Sequence, residues 1–368
     1  MTNVETTQLK NLRIGLACNS VRLDGGMGRY AIAVIRGLNE LGIEPVVFTK
    51  KIDPAVAADL RFKLRLINCR FVPGKLRDNY FNFRMRGILK EYPKFDALLS
   101  CNRCTSATVG FCGGTHRGYL RGLGKKTTLS DRIAADLEET FYRNCDLVVA
   151  HSQGMADEIE NLYGIDAAKI RTIYTPFDAS RFNADPLPDD DFEALRRELD
   201  IPEGRTTFLF PSAGSHYFKG LDFATAFFNA TDLPVTLLVA GRAVPESRNV
   251  RYIGFRKDIE RLYKFCDWTL LASRYEPLGM VAVESVLSGT PVVLSDKICA
   301  NEIIDDEAKI LFRSLDAKSL EEAVRKAAGR RIRLSDPERL VRSHDSETAH
   351  VLKVLEAAGL CGPNKTTE

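Results

Sequence analysis

An alternation that runs through the chain twice constrains its fold more than any other feature. Short apolar runs of strand length are separated by stretches whose apolar residues recur at helical spacing, the pattern of parallel, doubly wound α/β domains. Leu12–Cys18 reads as the first strand, Tyr30, Val34, Gly37, Leu38 and Leu41 as one face of a helix, and Pro45–Thr49 as the next strand. Phe95–Ser100, Asp146–Ala150 and Ile170–Tyr174 continue the series. Asn183–Asp191, with two prolines and four aspartates, is the linker candidate. The scheme then restarts with a strand at Thr206–Pro211 and a helix from about Leu221. Val235–Ala240, Val250–Ile253, Trp268–Ala272 and Pro291–Leu294 are its further strands, and Glu347–Leu360 is a terminal helix.

A chain of 368 residues is too long for one ordinary core. The expected division is a first Rossmann-like domain over 1–183, a second over 184–345, and a terminal helix and tail over 346–368. Two facing domains of this kind leave a cleft, and ligands of such sheets sit beyond the carboxyl ends of the strands.

Charge excludes one class of partner. The net charge is only +3, from 52 basic and 49 acidic residues, so the whole molecule is no polyanion binder and no nucleic acid is expected. No segment has the layout of a signal peptide, and no apolar run approaches the roughly 20 residues of a membrane span. Nine cysteines at irregular spacing are not a disulfide framework, and a reducing cytoplasm is the expected compartment. Cys101, Cys104, Cys112 and His116 resemble part of a zinc site, but the second cysteine pair is missing and no metal is expected.

Three loops between strand and helix carry candidate chemistry. Gly25 and Gly26 stand before the first helix, where backbone amides approach a phosphate or sugar closely. Gly26-x-Gly28-x-x-Ala31 also matches the dinucleotide fingerprint of an NAD(P)-dependent dehydrogenase. Against that, the glycines lie several residues past the strand, and the second strand ends in Thr49, Lys50 and Lys51 rather than an acidic residue for the ribose. The second loop runs from Ser212 through Gly214 and Ser215 to Lys219 and Gly220, and places a lysine where a diphosphate can be neutralised. The third is the sharpest. Glu276 stands at the end of a strand, Gly279 opens a helix, and Glu284 lies on that helix eight residues beyond Glu276.

The segment Glu276–Glu284 resembles the E-x7-E motif of family 4 glycosyltransferases with the GT-B fold. Gly25-Gly26, His151–Met155 and Lys219-Gly220 match further family elements, in family order, and the resemblance spans residues 12 to 325. It implies that Glu284 holds the donor ribose and Lys219 the diphosphate. Glu276, with the amides of Leu278, Gly279, Met280 and Val281, is implied to contact the donor sugar and phosphates. Gly25 and Gly26 are implied to face the donor, and His116 to stand beside the transferred sugar. Ser215 replaces the arginine usual in the family, a variant that resembles bacterial lipopolysaccharide core glucosyltransferases. Thr175–Asp178 replaces the usual Asn-Gly-Val-Asp.

The resemblance further implies a retaining hexosyltransferase that uses a nucleotide-diphosphate sugar, with a uridine donor favoured, and needs neither metal nor other cofactor. Its acceptor is expected to be a lipopolysaccharide-core or other lipid-linked or phosphorylated glycan of the cell envelope. A catalytically silent nucleotide-sugar-binding scaffold is the alternative. Residues 97–130 contain no Asp or Glu, and Lys75–Lys90 interleaves cations with aromatic residues. Arg84, Arg86, Arg117 and Arg121 are therefore candidates for meeting an anionic acceptor or an anionic membrane surface at the inner face of the cytoplasmic membrane. A merely solvated basic face is the plainer reading.

Overall fold

The computed structural model describes residues 9–362 apart from Asp24 and Ala213. It divides into two compact units, one made of Met1–Pro176 with Asp345–Glu368 and the other of Phe177–His344. The change of unit thus falls at Pro176, and the terminal helix belongs to the first unit. The last three residues of the expected linker are helical: Asp189–Glu198 forms a helix whose first turn carries Asp189, Asp190 and Asp191, where the helix dipole favours negative charge.

The first unit holds a seven-stranded parallel sheet of β1 (Ile14–Cys18), β2 (Val46–Thr49), β3 (Lys63–Leu66), β4 (Ala97–Ser100), β5 (Val109–Cys112), β6 (Leu147–Ala150) and β7 (Ile170–Thr172). Their order is β3-β2-β1-β4-β5-β6-β7. The second unit holds six parallel strands: β8 (Thr206–Ser212), β9 (Val235–Gly241), β10 (Val250–Tyr252), β11 (Trp268–Leu271), β12 (Val292–Ser295) and β13 (Lys309–Phe312). Their order is β10-β9-β8-β11-β12-β13. Both sheets therefore wind to one side from their first strand and then return to its other side. The turning points lie between β1 and β4 and between β8 and β11. Loops that leave adjacent strands there diverge and open a crevice.

The inner strands are buried on both faces, which is why they read as continuous apolar runs. Strand β3 is exposed throughout and lies at the sheet edge, so its residues, Lys63 to Leu66, lack that apolar signal. The terminal helix Glu347–Ala357 packs on the helix Gly26–Glu40, and Val351, Val354 and Leu355 join the core around β1. A buried polar contact fixes the two helices: the Tyr30 hydroxyl lies 2.7 Å from His350 Nε2, and His350 Nδ1 lies 2.9 Å from the Tyr174 carbonyl. The carbonyl can only accept, so Nδ1 carries the proton and Tyr30 donates to Nε2.

Candidate active site

The turning point of the second sheet gathers the charged residues singled out in the sequence. Lys219 follows β8 and Glu276 follows β11, and the lysine Nζ lies 2.5 Å from Glu276 Oε2. Ser273 donates to the same oxygen at 3.0 Å. Backbone geometry sets this meeting. Gly220 has φ +68°, and a Cβ there would lie 2.0 Å from the Ala272 carbonyl oxygen, so only glycine lets the lysine loop press against the end of β11. The main chain of Glu276 is stitched to the segment after β12 by bonds to Lys297 and Cys299 of 3.1 and 3.2 Å.

The helix Met280–Leu287 follows, with Gly279 as its N-cap in the left-handed region and no side-chain cap. The first amides of a helix lack partners within it and carry the positive end of the dipole. Leu278 is buried and bonded through its carbonyl to Ala300, which fixes the approach to that terminus. Met280 and Val281 form its first turn. Glu284 lies on the same helix, 7% exposed, and accepts a 3.1 Å hydrogen bond from the hydroxyl of Tyr263. Ser215 caps the short helix His216–Lys219, accepting from the Phe218 amide at 3.5 Å.

Sequence reasoning missed Arg274. Its guanidinium forms two 2.7 Å bonds to the carboxylate of Asp222, stacks 3.9 Å from the centre of the Tyr217 ring, and donates to the Tyr217 carbonyl. Its own amide donates to the Phe218 carbonyl at 3.1 Å. Arg274 therefore clamps the segment that carries Lys219 to the segment that carries Glu276. The only signal in the sequence is its place two residues before the first glutamate, which does not reveal a partner 52 positions away.

The turning point of the first unit is furnished differently. Gly25 and Gly26 are exposed, with no atom within 4 Å of where a Cβ would stand. Asn102 donates to Asn19 at 3.4 Å across the ends of β4 and β1. His116 lies one strand further on, after β5, at the start of the helix His116–Gly122. Its Nε2 sits 3.1 Å from Asp131 and its amide donates to Glu138 at 2.7 Å.

The basic stretch between 97 and 130 turns out to be partly neutralised by the helix that follows it. Arg103 pairs with Glu138 at 2.9 Å, and Arg117 pairs with Glu139 at 2.7 Å while its guanidinium stacks on Tyr163. Arg117 is thus held in an internal network. Arg121 is exposed and Arg86 is exposed, while Arg84, also exposed, donates to the Tyr80 hydroxyl at 3.2 Å.

The cysteines near His116 are buried thiols. Burial pushes Cys104 up to about 11 and Cys112 up to about 12. Among the described residues no three His, Cys, Asp or Glu side chains are grouped to hold a metal ion. No helix among them is long and apolar enough to cross a membrane.

Comparison with known proteins agrees with this geometry. Residues 24–181 match the family model of Glycosyltransferase Family 4, and residues 191–340 that of Glycosyl transferases group 1. A probable transglycosylase of Burkholderia thailandensis is 39% identical over 360 residues, covering 94% of this chain and 97% of the relative. The structure of WaaG, a glycosyltransferase involved in lipopolysaccharide biosynthesis, matches with a TM-score of 0.77 at 17% identity, over 95% of this chain and 100% of that one. HepE of Anabaena, solved with UDP and glucose, matches with a TM-score of 0.67 at 17% identity, over 95% of this chain and 97% of that one. Two Rossmann-like α/β units of this winding order are the GT-B fold. The chain belongs to the GT-B glycosyltransferases, with a family 4 domain followed by a group 1 domain, and it is an enzyme of that class.

Proposed function

We propose that this glycosyltransferase moves a hexose from a UDP-sugar to a lipopolysaccharide-core or other lipid-linked or phosphorylated glycan of the cell envelope, with retention of anomeric configuration. The observation that carries the donor half is the Lys219–Glu276 pair at the turning point of the second sheet, beside the start of the helix Met280–Leu287. A cation, a carboxylate and unpaired helix amides are what a sugar diphosphate requires: neutralisation of the phosphates and acceptors for the sugar hydroxyls.

In this reading Lys219 and Glu276 balance each other's charge until the donor binds. Donor entry draws Lys219 to the diphosphate and frees Glu276 to accept from the sugar hydroxyls. The amides of Leu278, Gly279, Met280 and Val281 face the phosphates, and buried Glu284 accepts from the ribose. The anomeric C–O bond then breaks towards the diphosphate, whose growing charge Lys219 and the helix amides stabilise. The acceptor hydroxyl attacks the same face of the oxocarbenium-like sugar and passes its proton to the leaving phosphate oxygen. His116, Gly25 and Gly26 keep the roles that the family resemblance implies, beside the sugar. No metal takes part.

The UDP preference is supported by HepE, which was solved with UDP and glucose, and the envelope acceptor by the WaaG likeness. The exposed Arg84, Arg86 and Arg121 of the first unit support an acceptor reaction at the inner face of the cytoplasmic membrane.

A thermal-shift panel of nucleoside diphosphates and their sugars tests the donor, followed by proton NMR of the product to read the anomer. UDP and a UDP-hexose are expected to stabilise the protein most, and transfer to persist in EDTA. Preference for another base, an inverted product, or loss of turnover with chelator would each remove the corresponding part of the proposal.

A further inference from the structure

Between His116 and Asp136 the chain forms a short helix, a turn containing Lys125, Lys126 and Thr127, and the start of the helix Leu129–Asn144. Thr128 caps the second helix through a reciprocal capping box with Asp131, which fixes where the turn ends. The two helices flank an open pocket of about 350 Å³, in the size range of small-molecule sites. Its charged lining is Arg117, Arg121, Lys125 and Arg132 with Asp131 and Asp136.

Not all of that charge is available. Arg117 is paired with Glu139, and Asp131 is bonded to Thr128 and His116. Lys125 donates to the Tyr119 hydroxyl at 2.8 Å, which leaves its other protons. Arg121 and Arg132 have no side-chain hydrogen bond or ion pair among the described residues. Three cations therefore stand against two carboxylates, Asp136 and Asp131, since the bonds of Asp131 to Thr128 do not cancel its charge, and the surplus is one positive charge.

From this we propose that the cavity binds a phosphoryl group. A phosphomonoester carries about −1.5 to −2 charge at pH 7 and presents three strong acceptor oxygens to these cations. Two guanidiniums with unspent donor forks and a hydroxyl at Thr127 suit its oxygens better than those of a single carboxylate. Asp131 belongs both to the cavity wall and to the His116 contact, so the bound phosphoryl group lies near the histidine placed beside the transferred sugar. The inference deepens the acceptor half of the proposed function and rests on it: the acceptor is phosphorylated, and this cavity holds its phosphate. The group is carried either by a soluble glycan or by a lipid headgroup.

The test uses the full chain and the double variant Arg121→Gln with Arg132→Gln. Inorganic phosphate is titrated against chloride at matched ionic strength while stability is followed, and UDP is titrated in parallel. Phosphate is expected to stabilise the parent beyond chloride, and the variant to bind phosphate about tenfold or more weaker, as lost charged hydrogen bonds dictate. The UDP response is expected to be the same in both, so failure of phosphate binding is separable from failure of the transferase reading. Co-sedimentation with phosphatidylcholine vesicles, with and without phosphatidylglycerol, assigns the source. Binding to anionic vesicles that phosphate competes away, and that the variant loses, gives a lipid headgroup. Phosphate binding without such vesicle binding gives a soluble phosphorylated glycan. Equal phosphate responses in parent and variant, or phosphate no better than chloride, would overturn the proposal.

Discussion

The two sheets share a winding order, yet their turning points are furnished oppositely. Between β8 and β11 stand a lysine, a glutamate and a buried arginine, each held by named partners. Between β1 and β4 stand two exposed glycines and a pair of asparagines, with Arg22 and Arg103 in the same loops, and the candidate His116 follows β5 instead. The crevice comes with the topology; the chemistry comes from the residues placed directly after the strands. A fixed, charged crevice suits a ligand of constant charge such as a diphosphate. An open glycine loop suits a partner whose hydroxyls need room.

The largest expected effect breaks the charged side of this comparison. Lys219→Met should lower kcat by about 10²–10³-fold, the scale of losing one stabiliser of the leaving group. Initial rates at saturating donor check it, and a loss smaller than threefold would show that the helix amides suffice. Glu284→Ala should weaken nucleoside diphosphate binding by about 1–3 kcal/mol in calorimetry, because a charged hydrogen bond to the ribose is lost. Unchanged binding would leave Glu284 as the buried partner of Tyr263 alone. Arg274→Lys should raise the donor KM about tenfold with little change in kcat, since lysine cannot reproduce the two-pronged bond to Asp222. An unchanged KM would show that Gly220 and the Lys219–Glu276 contact set the loop without the clamp.

These residues differ in how far the sequence reveals them. Glu276 and Lys219 are legible because each stands in a loop that follows an apolar, strand-like run, and Glu284 because of its eight-residue spacing from Glu276. The repeated alternation makes the parallel, doubly wound class legible, while the strand order comes from the structure alone. Arg274 and Asp222 were not visible, because their pairing depends on two loops meeting at the crevice rather than on spacing. The basic window 97–130 misled for a related reason. Its missing acids are supplied by Asp131, Glu138 and Glu139, which lie just outside it and reach back from the next helix. Strand β3 escaped notice because an exposed edge strand has no apolar pattern to read.

A smaller effect sharpens the first unit's side. Burial pushes His151 down to about 3 and His350 down to about 4 from a usual 6.5, so both are neutral in the folded first unit. The unfolded chain binds protons on these residues below pH 6.5 while the native state does not, so stability falls as pH drops from there towards 4. Unfolding near pH 5 should take up about two protons on this account. Urea midpoints at pH 7 and pH 5 measure it, and His350→Phe should shrink the difference between them. An undiminished difference in that variant would assign the acid sensitivity to other groups.

The smallest expected effect concerns the exposed arginines of the helix Arg77–Ile88. Arg84 and Arg86 are not held by ion pairs, unlike Arg117, so their replacement by glutamine removes charge without opening a network. Stability should stay within about 0.5 kcal/mol of the parent. If this face meets an anionic surface, binding to vesicles containing phosphatidylglycerol should weaken by up to about 1 kcal/mol per arginine at low salt. That difference should vanish as salt is raised, because exposed charges are screened within about 8 Å at physiological ionic strength. UDP binding should not change, since the donor residues Lys219, Glu276 and Glu284 all lie in the second unit. Arg117→Gln is the control: it breaks the bond to Glu139 and the stacking on Tyr163 and should lower stability, which separates a cation that holds the fold from one that reaches outward. Equal vesicle binding by parent and Arg84/Arg86 variant would confine the first unit's anion recognition to the cavity lined by Arg121 and Arg132 and reduce this helix to a solvated face.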